Sequence, residues 1–137
     1  MTSGQTPTSQ LPTEPQSVSQ RVRFIEHSGK QVLFVDYSNC NAALLRQIAL
    51  ECHRVLAQQP PNSSLTLNDV SGTRFDQESV AFLKSVVRDN APYVKKAAVV
   101  GVTGLQRLIY EAVQAFSKRS IPCFNSRQEA LDWLVKE

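Results

Sequence analysis

The sequence lacks the features that mark secreted disulfide proteins, zinc proteins and membrane-spanning proteins. Its three cysteines, Cys40, Cys52 and Cys123, are an odd number without a Cys-x-x-Cys pair, which argues against a disulfide framework and a zinc site. No run approaches the roughly 18 apolar residues that a membrane span needs. Residues 1–20 contain no Lys or Arg and no apolar block, so no secretory signal is expected. These absences predict a cytoplasmic protein with free thiols and without a metal or other cofactor.

Concentrated positive charge is also missing. The chain has 15 Lys and Arg against 12 Asp and Glu, a formal net charge of +3, but its only basic doublets are Lys95-Lys96 and Lys118-Arg119. A surface that follows phosphates usually needs a basic stripe with aromatic platforms, so nucleic acid is not an expected partner. The chain also lacks the glycine spacing of dinucleotide-binding and P-loop motifs, which argues against nucleotide binding.

The length and composition indicate one soluble domain preceded by a tail. A chain of 137 residues with 42% hydrophobic and 20% charged residues suits a single globular core. Residues 1–20 consist almost entirely of Ser, Thr, Gln and Pro, with one charge at Glu14, and offer little apolar surface to offset the entropy of ordering. We therefore expect residues 1–20 to be a disordered tail and residues 21–137 to form the domain.

From Arg21 onward the hydrophobic pattern alternates between the period of a strand and that of a helix. It predicts an antiparallel hairpin, then three strands each preceded by a helix, and a final helix. The order is ββαβαβαβα, an α/β fold with a mixed sheet whose later strands are parallel. The predicted strands after the hairpin are 65–70, 97–102 and 121–124. The helix signals are an apolar stripe from Leu44 to Leu56, an N-cap at Asp76, a stripe from Leu105 to Phe116 and a capping box at Ser126.

Short polar side chains follow two of the predicted parallel strands. Asp69 lies at the end of the third strand, Ser71 and Thr73 follow it, and Thr103 and Gly104 follow the fourth. Because parallel strands end at one edge of the sheet, where open α/β sheets place their working residues, we expect these side chains to gather there. Asp36 and Asp69 could form a catalytic carboxylate pair, but hydrogen bonds to turn amides are the favoured interpretation. For Thr103 and Gly104, an N-cap and a close turn are favoured over anion binding.

The residues from Leu67 to Ser79, Leu-Asn-Asp-Val-Ser-Gly-Thr-Arg-Phe-Asp-Gln-Glu-Ser, resemble the STAS domains. This is the sulphate-transporter and anti-sigma-factor-antagonist family, and the chain is most similar to its stand-alone bacterial relatives described as STAS/SEC14-like. The Pro92-Tyr93 linker, the residues from Val100 to Leu105 and the ending from Glu129 to Leu134 extend the resemblance, which covers about 21–137. It implies a STAS-like βα superhelix with a role in regulation or ligand sensing through partners rather than in catalysis.

One motif departs from the family pattern. In the antagonist members, the second helix starts at an Asp-Ser-Ser-Gly motif that carries a phosphorylated Ser. Here Gln77-Glu78-Ser79-Val80 stands at that place, and Ser79 alone could match the phosphoacceptor. The missing glycine and preceding acid argue against a phosphorylation switch.

The function expected from the resemblance is that of a non-enzymatic regulatory module. It would bind a protein partner through the loop after strand three and the second helix, with a surface formed by Asp69, Ser71, Thr73, Ser79, Phe82, Thr103 and Gly104. The alternative is a carrier or sensor of a small apolar or lipid-like ligand held between helices and sheet, because lipid-binding SEC14 domains share the superhelical plan. Phe82 is either an exposed contact anchor or an extension of the core, since it lies about 100° from Leu83 on the helix.

Overall fold

The computed structural model describes residues 17–74, 76–104, 106–117 and 121–136. The strands of this part of the chain are β1 (Val22–His27), β2 (Lys30–Asp36), β3 (Ser64–Asp69), β4 (Val94–Val100) and β5 (Cys123–Phe124). The helices are α1 (Val18–Arg21), α2 (Ala42–Leu56), α3 (Gln77–Asn90), α4 (Gln106–Ser117) and α5 (Arg127–Val135). The predicted element order is confirmed, with the short helix α1 added before it.

The five strands form one mixed sheet whose spatial order follows the chain, β1-β2-β3-β4-β5. The turn at Ser28 and Gly29, both with positive φ, joins β1 and β2 as an antiparallel hairpin in which Val22 pairs with Val35. The remaining neighbours are parallel. The fold is therefore α/β with an N-terminal antiparallel hairpin followed by parallel strands.

The sheet has a core on each face because the residues of β2 are apolar at successive positions. Leu33 and Val35 face α2, in a cluster that includes Leu45 and Ile48. Val32 and Phe34 face the other way, in a second cluster that contains Ala130 and Leu134 of α5. Helices α2, α3 and α4 thus share one face of the sheet, and α5 covers the opposite face.

Helix α1 corrects the predicted boundary of the tail. Ser17 is its N-cap, within a capping box, and Val18 packs against the core on the α2 face. The buried Arg21 donates hydrogen bonds to the carbonyls of Asp36 and Ser38. The polar sequence around Val18 has too few apolar residues to show helical periodicity, so this turn escaped the prediction. The first sixteen residues of the predicted tail lie outside the described residues.

Further predictions change in detail, since β3 covers residues 64–69 rather than 65–70 and β5 covers residues 123–124 rather than 121–124. Strand β4 covers residues 94–100 rather than 97–102, because its pairing with β3 begins at Ser64 and Val94. On α4, Leu108 was expected in the buried stripe but is 67% exposed, and Ala112 is also exposed. Ile109 and Val113, which also belong to the predicted stripe, do face inward, although both are only half-buried. Leu105 and the side chain of Phe116, which completed the predicted stripe, lie outside the described part.

Candidate functional site

The two aspartates at the strand ends occupy equivalent turns. Asp36 and Asp69 are register partners on β2 and β3. The Oδ1 atom of Asp36 accepts a hydrogen bond from the amide of Ser38, and that of Asp69 accepts one from the amide of Ser71, each at 2.9 Å. This geometry matches the Asx turns that short acidic side chains form at strand ends. Both carboxylates therefore act in local turns, as the favoured interpretation expected.

Asp69 makes a second set of contacts that hold it ionised. Its Oδ2 atom accepts hydrogen bonds from Nε and Nη2 of Arg127, at 3.2 and 2.7 Å, while Oδ1 also accepts a hydrogen bond from the hydroxyl of Ser71 at 2.6 Å. Burial alone would raise the pKa of Asp69, but the hydrogen bonds from Ser71 and Arg127 outweigh it and the pKa is lowered. Arg127 belongs to α5, which covers the face of the sheet opposite to α2. The ion pair therefore links the end of β3 to α5.

The loops after β2, β3 and β4 pack tightly against one another. The amide of Asn39 donates to the carbonyl of Ser71 at 2.8 Å. A Cβ atom at Gly72 would collide with the side chain of Asn39, and one at Gly101 would collide with Ser71. Both glycines also have positive φ, so the close approach and the backbone conformation each require glycine. The predicted convergence of the β3 and β4 loops is therefore present, as packed backbone.

Three residues of the expected partner surface are buried instead, which corrects that prediction. Asp69 is turned toward Arg127. The Thr73 hydroxyl donates to the carbonyl of Tyr37. Ser79 lies in the first turn of α3, where its amide donates to the N-cap Asp76 at 2.7 Å. The polar sequence suggested solvent exposure, but each of these polar groups has a partner within the fold. The exposed members of the set are Ser71, Thr103 and Gly104.

The burial of Phe82 is intermediate between the exposed contact anchor and the core residue that the sequence left open. It is half-buried and packs against the core cluster on the α2 face. The guanidinium carbon of Arg46, on α2, lies 4.2 Å from the ring centroid, a cation–π distance. One face of the ring is therefore covered by an arginine of a neighbouring helix, and Phe82 contributes to the packing between α2 and α3.

A cavity lies between the sheet and helices α2, α3 and α4. Its volume is about 430 Å³, within the usual range for small-molecule sites. Its walls are mostly aliphatic, formed by Leu45, Cys52 and Leu56 of α2, by Leu83, Val86, Val87 and Asn90 of α3, and by Ile109, Tyr110, Val113 and Gln114 of α4. The apolar stripes that predicted burial on α3 and α4 thus line a space rather than fill it.

The floor of the cavity is the helix-covered face of the sheet. It contains Thr66 and Asn68 of β3, Ala97 and Val99 of β4, and Val70 and Tyr37 just beyond the ends of β3 and β2. Along β3 the polar Thr66 and Asn68 alternate with Leu65 and Leu67, which pack toward α5. Polar residues on the helix-covered side of a central strand are unusual, because that side normally belongs to the core. This alternation was the sequence signal that could have located the cavity.

Two ionisable groups in the cavity wall stay neutral. Burial raises the pKa of the Cys52 thiol to about 12, with a smaller contribution from the charge of Glu51. Burial also raises the pKa of Tyr37 well above its usual value of 10.0. A thiol held in its protonated form is a poor nucleophile. Cys52 and Tyr37 therefore present neutral groups to the cavity, which suits binding.

Comparisons with protein-family models, curated proteins and solved structures found no match for this chain. In the part of the chain that the structure describes, no helix is both long and apolar enough to cross a membrane. The same residues contain no group of three or more His, Cys, Asp or Glu side chains placed to hold a metal ion.

Proposed function

We propose that this domain is a non-enzymatic binding module that holds a small apolar ligand between its sheet and helices α3 and α4. The cavity of about 430 Å³ is the observation that carries the proposal. Its mainly aliphatic lining favours apolar surface, since transfer of such surface out of water is worth about 25 cal/mol per Å². The resemblance to STAS/SEC14-like domains adds an analogy of fold, which by itself does not assign a function.

The arrangement of the helices supports a role for the cavity in binding. Leu83, Val86 and Val87 of α3 line the cavity and are half-buried, whereas Ile48 and Ala49 of α2 lie outside its lining and are fully buried. Residues that touch a cavity on one side lose packing partners there, and a ligand would restore them. Ligand binding would therefore stabilise α3 and α4 more than α2. A regulatory output through α3, as the family resemblance implies, is consistent with that difference.

The protein-docking role expected from the sequence remains a prediction. Asp69, Thr73 and Ser79 form hydrogen bonds within the fold, so a partner would meet chiefly the exposed Ser71, Thr103 and Gly104. These small residues offer little contact area, and hot spots of protein interfaces are enriched in Trp, Tyr and Arg. The cavity therefore has the stronger physical argument.

The test is saturable binding of a simple apolar probe. Isothermal titration of the full chain with 1-octanol is expected to show one site, together with a rise in the unfolding midpoint as the probe concentration increases. Val99→Phe places a ring in the cavity and should abolish binding. Leu50→Phe adds the same ring at an exposed position of α2 and should leave binding unchanged.

Each variant is first checked for cooperative unfolding. Absence of saturable binding to the wild type, or equal loss of binding in both variants, contradicts the proposal. An organic extract of the protein purified from its native lysate provides an independent measurement, because a bound ligand should co-purify with the wild type and be missing from Val99→Phe.

A further inference from the structure

Two hydroxyl groups of the cavity lining have no hydrogen-bond partner among the described residues. Tyr37 and Thr66 are only 5% and 4% exposed, and neither hydroxyl forms a bond to another described group. Both hydroxyl oxygens nevertheless retain accessible surface, since Arg21 Nε is the one side-chain nitrogen or oxygen in the described part that is fully covered and has no hydrogen-bond partner. For residues buried this deeply that line the cavity, the remaining surface faces the cavity.

An unsatisfied hydroxyl in an apolar wall is costly. Leaving a buried polar group without a partner costs about 1–3 kcal/mol, and natural proteins usually satisfy such groups with protein or ordered water. Tyr37 follows β2, beside Val70 at the end of the cavity floor, whereas Thr66 pairs with Leu33 farther down the sheet. The two hydroxyls therefore lie at different points along the floor, and a ligand is expected to bond to them separately.

Around Tyr37, Asn68 and Thr66 the floor is polar and uncharged. Asn68 lies between the two hydroxyl-bearing positions, and its amide nitrogen donates to the carbonyl of Ala98 at 3.2 Å. Because the pKa of Tyr37 is raised by burial, its phenol remains a neutral donor. A carboxylate placed against this floor would lose its hydration without meeting a cation, which is strongly unfavourable. A neutral hydroxyl, amide or carbonyl group avoids that loss.

The lysines of the lining belong to one end of β4. Lys95 is exposed at the start of the strand, and Lys96 directs its ammonium away to the carbonyls of Trp133 and Lys136, at 3.1 and 2.7 Å. At about 3.3 Å per residue, the distance along the strand from Lys95 to Val100 is roughly 17 Å. The Lys95 charge is therefore remote from Tyr37, which lies at the other end of the parallel strands.

We propose that the ligand of this cavity is an uncharged amphiphile whose neutral polar group hydrogen-bonds to the hydroxyl of Tyr37, with its apolar body lying along the floor past Asn68. The inference rests on the proposed function and adds the chemical class of the ligand. A volume of about 430 Å³ corresponds to roughly fourteen water-sized volumes at 30 Å³ each, so the ligand has on the order of ten to fifteen non-hydrogen atoms.

Three probes with the same chain length test this class. Isothermal titration compares 1-octanol, octanoate at pH 8 and buffer saturated with n-octane. We expect 1-octanol to bind at least about ten-fold more tightly than octanoate, because the carboxylate must be desolvated. The comparison uses the wild-type chain and so does not depend on the folding of any variant.

Tyr37→Phe removes the hydroxyl and keeps the ring. It should weaken 1-octanol binding about three- to ten-fold, the usual range for one hydrogen bond, while n-octane binding is retained. Tyr93→Phe is the matched control, because Tyr93 packs against His53 and is not among the residues that line the cavity. It should leave the affinity for 1-octanol unchanged.

The outcomes separate this inference from the proposed function. Tighter binding of octanoate than of 1-octanol, weakened by Lys95→Gln, would place the polar group at Lys95 and overturn the inference while the cavity remains a ligand site. Unchanged 1-octanol affinity in Tyr37→Phe would overturn it in the same way. If none of the three probes binds the wild-type chain, the proposed function fails and the inference fails with it.

Discussion

Adjacent alanines on β4 offer a direct test of the cavity. Ala97 and Ala98 are neighbours in sequence, so their side chains point to opposite faces of the sheet. Ala97 lines the cavity floor and pairs with Thr66, whereas Ala98 is completely buried in the core beneath α5. The same substitution, alanine to leucine, therefore meets empty space at one position and close packing at the next.

The magnitudes follow from the environments of the two residues. Ala97→Leu adds three carbon atoms, and at about 0.8 kcal/mol per buried carbon their transfer is worth roughly 2.4 kcal/mol. Fixing the leucine side chain costs about 0.5–1 kcal/mol in entropy, which leaves a net stabilisation of roughly 1–2 kcal/mol. Ala98→Leu must instead displace packed neighbours, and such overpacking typically destabilises by about 1–3 kcal/mol.

Urea unfolding at constant pH measures both variants against the wild type. The expected free energies of unfolding differ between the variants by roughly 2–5 kcal/mol, with Ala97→Leu the more stable. Unchanged denaturant slopes would show that the native and unfolded states keep their compactness. If Ala97→Leu destabilises the domain as much as Ala98→Leu does, the helix-covered face is closely packed and the cavity argument is refuted.

Two other predictions concern the sheet edge and the packing between α2 and α3. Asp69→Asn should destabilise the domain by about 1–3 kcal/mol at pH 7, since Asp69 accepts hydrogen bonds from Ser71 and Arg127. The pKa of Asp69 is lowered by folding, so this stabilisation is present above the unfolded pKa of about 3.9 and is lost as the pH falls through the folded pKa. Urea unfolding of the wild type and Asp69→Asn should therefore show a smaller difference in the free energy of unfolding at pH 3 than at pH 7. An equal difference at the two pH values would contradict the stabilising role of the Asp69 carboxylate. Phe82→Ser should lower the free energy of unfolding by about 2 kcal/mol, because the ring is half-buried against Arg46. Leu108→Ser, at an exposed position, should lower it by about 0.5 kcal/mol or less. Similar losses in the two variants would place Phe82 on the surface.

The elements of this fold were predictable where one local rule decided them. The apolar residues of β2 are consecutive because both faces of that strand are covered, and helices α3 and α5 begin where Asp76 and Ser126 accept hydrogen bonds from the amides of Ser79 and Glu129. Hydrophobic periodicity and capping act within a few residues, so the sequence displays them directly. The boundaries of β4 depend instead on pairing with β3, and the prediction missed its first three residues.

The contacts of the sheet edge were less accessible to sequence reasoning. Asp69 and Arg127 are 58 positions apart, and only the crossing of α5 over the sheet brings the two charges together. Arg127 was visible in the sequence as part of a capping box, but nothing local indicated its partner. Polar residues at this edge suggested a surface, because pattern alone cannot distinguish a free hydroxyl from one that is satisfied within the fold.

The cavity was hidden for a different reason. An amphipathic stripe predicts which side of a helix faces inward, and the stripes of α3 and α4 do face the sheet, as Leu83 and Ile109 show. Periodicity does not report whether the side chains opposite are large enough to meet them. Ala97, Val99 and Val70 are small residues across from these helices, so the volume between the layers is left open.

The cavity is open to solvent on one side, so its lining exposes apolar surface to water unless a ligand covers it. Covering apolar surface is worth about 25 cal/mol per Å², and the aliphatic side chains of α3 and α4 supply much of the surface to be covered. Water in the cavity would find few polar partners, since the floor supplies only scattered groups such as the hydroxyls of Tyr37 and Thr66. An apolar ligand with one neutral polar group satisfies both the aliphatic walls and a lone hydroxyl, which is why the cavity favours a binding function over a structural defect.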